Sequence, residues 1–272
     1  VAGPRNGRFR SPMGKLEEEY PVEEKDPFAP HSLPLVVFGT FILWFGWYGF
    51  NCGSTLAMNG IEDGFKAAQV AMNTTISASV GGVVTFALRY AITKKYDVGA
   101  FCNGVLAGLV SITAPCGNVE CGSALAIGMI GAIIYQLSSS TLQVLKIDDP
   151  LDAFPIHGAC GVWGVFAAAL FDWGTGFSQV NGWSGFRCMS DARTGACLGQ
   201  SDGMGKTLLA ANVLEFVFII LWAGGLSLVI FVPLKAAGLL VATPQEQDQG
   251  FDEAKHSPPK AYDMGGSNDP QI

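Results

Sequence analysis

The chain has 272 residues and a net charge of −7, and only 14% of its residues are charged, against roughly 25% in soluble domains. This acidic balance leaves no basic stripe to neutralise phosphates, which excludes nucleic acid as a partner. Charges gather at the two ends and in short clusters between long apolar runs, a pattern that suits a bilayer rather than a soluble core.

Residues 1–31 are polar, carry the acidic stretch Glu17–Glu24 and contain no apolar core of a cleavable signal. They read as a cytoplasmic segment, and because the chain opens on Val1 rather than Met, its true N-terminus is expected to lie upstream. Residues 32–242 read as a transmembrane domain and 243–272 as a cytoplasmic tail whose Pro258, Pro259, Gly265 and Gly266 favour flexibility towards its end. A hydrocarbon core about 30 Å thick asks for about 20 helical residues. Six runs meet or approach that length: Leu33–Asn51, Val70–Ala91, Phe101–Cys116, Gly122–Leu145, Ile156–Phe171 and Leu208–Leu240. The expected fold is therefore all-α, a polytopic membrane bundle of six transmembrane helices. Pro233 and Lys235 mark where the last run kinks or leaves the bilayer.

Six spans put both tails on one side. That side holds 12 of the 16 Lys and Arg residues, and the other holds Lys66, Arg187, Arg193 and Lys206. The excess of positive charge puts both tails in the cytoplasm. Glycines three or four apart, such as Gly104 with Gly108 and Gly128 with Gly131, predict closely packed helices.

In the first span, Trp44, Trp47, Phe50 and Ser54 form an aromatic cluster ending in a hydroxyl. It reads either as an interfacial girdle or as a cation site, since ring faces attract an ammonium-type ion and a serine hydroxyl accepts its hydrogen bonds. Before the fifth span stand Asp148, Asp149 and Asp152, which either cap the following helix, as Asp152 is placed to do, or bind the chain's own tails. His157 opens that span. It is either a helix-end imidazole bonded to a backbone carbonyl or a group that exchanges a proton at membrane depth. Glu215, a lone acid in the last span, is expected to hydrogen-bond a neighbouring helix. Cys188 and Cys197, in the long external loop, are expected to pair. No phosphate-binding loop, nucleophile elbow or zinc-protease motif is present, so no enzyme, cofactor or metal site is expected.

The run HSLPLVVFGTFILWFGWYGFNCGS (31–54) resembles the sixth helix of the ammonium transporter (Amt/Mep/Rh) family, and KIDDPLDAFPIHGACGVWGVFAAALF (146–171) resembles its tenth. CNGVLAGLVSITAPCGNV (102–119) and PQEQDQGFDEAKHS (244–257) also fit, so the resemblance extends over about 28–257. It implies a homotrimer in the plasma membrane, with ammonium recruited, deprotonated and passed through an apolar pore in each subunit. Ser54 would meet the ion, Phe50 would form part of the gate, Trp47 would line the pore and His157 would be one of the paired pore histidines. The matched helices correspond to the family's sixth to eleventh, so the chain is expected to be a C-terminal portion without the first five and their pore histidine. Two further functions compete: an ammonium sensor acting through the tail, and a six-helix channel for small neutral solutes.

Overall fold

The structure, a computed structural model, describes residues 1–5, 8, 9, 28, 30, 32–57, 59–171, 208–250, 254 and 255. The acidic stretch Glu17–Glu24, the end of the tail and the Cys188–Cys197 pair lie outside the described residues. Helix α1 spans Leu33–Gly53, α2 Ile61–Thr93, α3 Val98–Thr113, α4 Cys121–Val144, α6 Leu208–Ala236 and α7 Pro244–Gln249. Helix α5, Phe154–Leu170, opens with a π-helical stretch, Phe154–Ala159, and continues as α-helix from Cys160 to Leu170.

The fold is all-α, but the expectation of six spanning helices is corrected. Among the described residues four helices, α1, α2, α4 and α6, are long and apolar enough to cross a membrane. At 16 residues α3 is about 24 Å long, short of a hydrocarbon core of about 30 Å. Helix α5, Phe154–Leu170, falls short in the same way at about 26 Å. Helix α2 instead starts nine residues before the apolar run, because Glu62 and Asp63 in its first turn suit the positive end of the helix dipole. Helix α6 runs through Pro233 to Ala236 and closes at Gly238, whose φ of 72° is the left-handed conformation that glycine reaches without strain.

Helices α2, α3 and α4 form the tight core. A Cβ on Gly108 of α3 would collide with the Ser77 carbonyl of α2, and one on Gly128 of α4 would stand 2.6 Å from the same oxygen. Three backbones therefore converge on one residue, as small residues permit in lipid. Ser77 adds a hydrogen bond of 2.7 Å from its Oγ to the Gly108 carbonyl. Asn73 donates to the Cys116 and Val119 carbonyls at 2.9 and 2.6 Å, holding the turn between α3 and α4. Around these lie Val70, Ile112, Val119 and Ile127, all nearly inaccessible.

Helices α1 and α5 lean on this core from outside, and α6 packs on α5. None of the most apolar stretch of α6 is buried, and large side chains such as Phe218, Leu221 and Trp222 face outwards. At one end of the bundle the first residues fold back: Lys235 donates to the Val1 carbonyl at 2.6 Å, and Arg5 reaches the loop between α4 and α5.

Candidate functional site

Trp47 sits in the C-terminal half of α1, where its indole Nε1 donates to Thr113 Oγ1 of α3 at 2.9 Å. Thr113 in turn donates to the Leu109 carbonyl at 2.8 Å, so the indole is fixed through a hydroxyl that is itself fixed. The Trp47 ring stacks on the His157 imidazole, with centroids 6.5 Å apart and planes 20° from parallel, and meets Phe50 edge-on at 5.9 Å. A cavity of about 720 Å3 opens in front of these rings, lined by Ile42, Leu43, Trp47, Phe50, Thr113 and His157 among others. Its wall is almost wholly apolar, and His157 is the one titratable side chain among the described residues that line it.

His157 lies in the π-helical stretch at the start of α5, behind Pro155. A widened turn of this kind is a common feature of functional helices. The imidazole is exposed, and among the described residues it makes no hydrogen bond to a backbone carbonyl. Gly161 and Val165, one and two turns further on, line the same cavity. All three also line a second cavity of about 700 Å3 between α5 and α6. Helix α5 is thus a partition, with His157 open on both sides.

Ser54 lies one turn beyond Phe50 and is exposed. Its hydroxyl donates to the Phe50 carbonyl at 2.7 Å, ending α1, while the oxygen's lone pairs stay available to a guest. Trp47, Phe50, Ser54 and His157 therefore follow one side of the bundle, from the exposed end of α1 into the cavity.

The three aspartates part company. Asp148 accepts Arg5 Nε at 2.7 Å, Arg5 Nη2 at 2.9 Å and the Arg5 backbone N–H at 2.9 Å, with Arg8 at 3.7 Å. The hydrogen-bonded Arg5 guanidinium holds the Asp148 carboxyl below its ordinary value. Asp149 caps α5, accepting the N–H groups of Ala153 and Phe154 at 3.0 and 2.7 Å. Asp152 faces α4 instead and accepts the hydroxyls of Tyr135 at 2.7 Å and Ser139 at 3.0 Å. Its φ of 52° is unusual for a residue with a side chain, and this buttressing holds the turn before α5.

Sequence reasoning missed Thr113, Tyr135 and Arg5, which position site or loop residues. Hydroxyls within apolar helices were the available signal for the first two, since each must find a partner. Glu215 was expected to bond a neighbouring helix, but among the described residues its carboxylate makes no hydrogen bond and faces the second cavity. No group of three His, Cys, Asp or Glu residues converges among the described residues.

Comparison with known proteins identifies the relatives of this arrangement. The Ammonium Transporter Family profile matches residues 10–262. Ammonium transporter Amt2 of Archaeoglobus fulgidus is 35% identical over 94% of the chain and 49% of its own length. Ammonium transporter 1 member 1 of Oryza sativa subsp. japonica is 32% identical over the same shares. Of solved structures, a sensor Amt protein superposes with a TM-score of 0.68 at 29% identity, covering 93% of this chain and 54% of that one. Candida albicans Mep2 gives 0.60 at 27% identity, covering 80% and 45%. The likeness runs over 10–262 rather than about 28–257, so it takes in nearly the whole chain. The expectation of a resemblance confined to a C-terminal six-helix portion is corrected accordingly. The chain spans about half the length of the curated relatives it matches.

Proposed function

The chain belongs to the ammonium transporter family, a family of transport proteins rather than enzymes, and from that premise we propose that it serves ammonium transport across a membrane. Ammonium meets Ser54 and the ring of Phe50 at the exposed end of α1, gives up its proton there to bulk water, and passes as ammonia along the cavity beside Trp47 and His157. The observation that carries this reading is the imidazole of His157, stacked on a fixed indole in an otherwise apolar cavity.

The physical case rests on charge. An ion at membrane depth costs about 2.5–3.5 kcal/mol on insertion scales, so a dry passage favours the neutral species. A neutral imidazole offers one donor and one acceptor, and exchanges a proton near neutral pH. Potassium has no proton to lose, which gives such a passage its selectivity. Within the same reading α3 and α5 join the four long helices at membrane depth, both chain ends face the cytoplasm, and the assembly is a plasma-membrane homotrimer in contact with lipid.

The test is uptake of labelled methylammonium by the full chain in cells without ammonium transporters of their own. Uptake above an empty-vector control is expected, and His157→Ala should lower it tenfold or more with membrane abundance unchanged. Uptake by the unaltered chain equal to the control would sink the transport reading. The likeness to a sensor Amt protein favours a second reading, in which occupancy of the same site is reported through the helix α7 to cytoplasmic partners. Ammonium-dependent protection of residues 243–255 from proteolysis, without uptake, would select it.

A further inference from the structure

The second cavity, between α5 and α6, holds a further titratable group, Glu215. Glu215 lies in the second turn of α6, in a helix that is otherwise apolar over most of its length. Three residues before it, Asn212 donates Nδ2 to the Val165 carbonyl of α5 at 2.6 Å. Immediately after it, Phe216 meets Phe166 of α5 with centroids 6.1 Å apart. Residues three apart share a helix face, so the contacts that fix α6 on α5 also hold Glu215 over the cavity. Ile219, one turn further, lines the same space.

The chemistry of that space is narrow. Its wall carries one carboxylate and one imidazole, Glu215 and His157, among the rings of Phe154, Trp163, Phe166 and Phe216. Among the described residues no lysine or arginine lines this space. Glu215 is exposed at the edge of this space, and an ionised carboxylate set among apolar side chains at membrane depth favours a counter-charge. Ring faces attract a cation but supply no charge of their own. A small monovalent cation with N–H donors satisfies all three: the carboxylate accepts its hydrogen bonds, the rings face its charge, and the imidazole offers a lone pair.

We propose that the α5–α6 cavity is a second binding site for ammonium-type cations, in which Glu215 holds the ion and His157 connects this space with the one in front of α1. The proposal rests on the ammonium reading of His157 and adds to it a residue that the first cavity does not contain. Occupancy of the site neutralises a carboxylate that has no ion-pair partner among the described residues. Potassium, which donates no hydrogen bonds, meets the same carboxylate less well.

Infrared difference spectroscopy of the full chain in liposomes tests this, with potassium exchanged for methylammonium. The expected result is a change in the carboxylate stretching bands that vanishes in Glu215→Gln and returns at a shifted frequency in Glu215→Asp. No band change in the native chain, or one that Glu215→Gln leaves intact, overturns the proposal. Should Glu215→Gln fail to fold by circular dichroism, Glu215→Asp decides, since the band must move if Glu215 is its source. Methylammonium uptake measured in parallel separates the two claims. Bands present without uptake overturn the transport reading alone, and uptake without bands overturns the Glu215 site alone.

Discussion

Two regions of this molecule obey opposite packing rules. Between α2, α3 and α4, glycine and serine bring three backbones together around Ser77, and the small polar groups there mostly find partners. Around α1, α5 and α6, a Cβ added to Gly46 would meet nothing within 4 Å, and cavities of about 720 and 700 Å3 flank His157. The first region has no room to change, and it is the platform from which α1 and α5 are held. The second keeps open space beside a titratable group, as a passage requires. On the proposed reading, transport uses the space beside the best-packed part of the fold, not within it.

The largest expected effect tests that contrast directly. Gly108→Val pushes a branched side chain into the Ser77 carbonyl of α2, a backbone atom that cannot swing aside. Overpacking of this kind costs about 1–3 kcal/mol, and here more, because α4 meets the same oxygen through Gly128. A marked fall in the detergent-solubilised Tm and in monodisperse yield is expected. Gly46→Val, facing open space, should leave both nearly unchanged while lowering methylammonium uptake, since Gly46 lines the first cavity. Equal destabilisation by the two variants would erase the distinction.

A smaller effect is expected where the N-terminal segment meets the bundle. Arg5 bonds Asp148 through both side chain and backbone, and its guanidinium stands 4.8 Å from the centre of the Phe28 ring. Asp148→Asn keeps the shape and removes the charge. A loss of about 1 kcal/mol is expected, because Arg5 is 40% exposed and solvent screens the pair. The sign with pH follows from the lowered carboxyl. Its contribution is fully present above the ordinary carboxylate value of 3.8 and is lost as pH falls through the still lower folded value. Limited proteolysis of residues 1–9 should therefore accelerate in acid for the native chain, and already at neutral pH for Asp148→Asn. Cleavage equally slow in both at neutral pH would mean that the ion pair does not hold the segment.

How far the sequence foretold this division differs from element to element. Apolar runs located α1 and α4 almost to the residue, because uncharged stretches of that length have few alternatives. The same rule gave α3 and α5 about their observed lengths, Phe101–Cys116 against Val98–Thr113 and Ile156–Phe171 against Phe154–Leu170, but counted both as spans although they are shorter than the four long helices. Trp47 and His157 each stood out alone, one in an aromatic cluster and one as an ionisable group at a helix start. Their stacking across two helices depends on how α1 and α5 lean on α3, which no local pattern records. The three aspartates looked like one cluster, yet backbone geometry gives each a different partner. Helix α7 was legible and was overlooked: Thr243, Pro244 and Glu246 form a capping box with proline in the first turn.

That short helix supplies the smallest effect and marks the outer limit of the comparison. Glu246 accepts the Thr243 N–H at 3.0 Å and pairs with Lys255 at 2.7 Å, so two local devices hold six residues. Lys255 and the capping bonds hold its carboxyl down at about 2, so both persist until strongly acidic conditions. Glu246→Gln removes the charge while retaining an oxygen that can accept the capping bonds, whereas Glu246→Ala removes both. Amide hydrogen exchange over 244–250 should quicken slightly in the first variant and more in the second, and salt should narrow the gap between native and Gln forms. The bundle's Tm should not respond, because every bond involved lies between residues 242 and 255. A response in uptake with Tm unchanged would mean that α7 is coupled to the proposed passage from outside it.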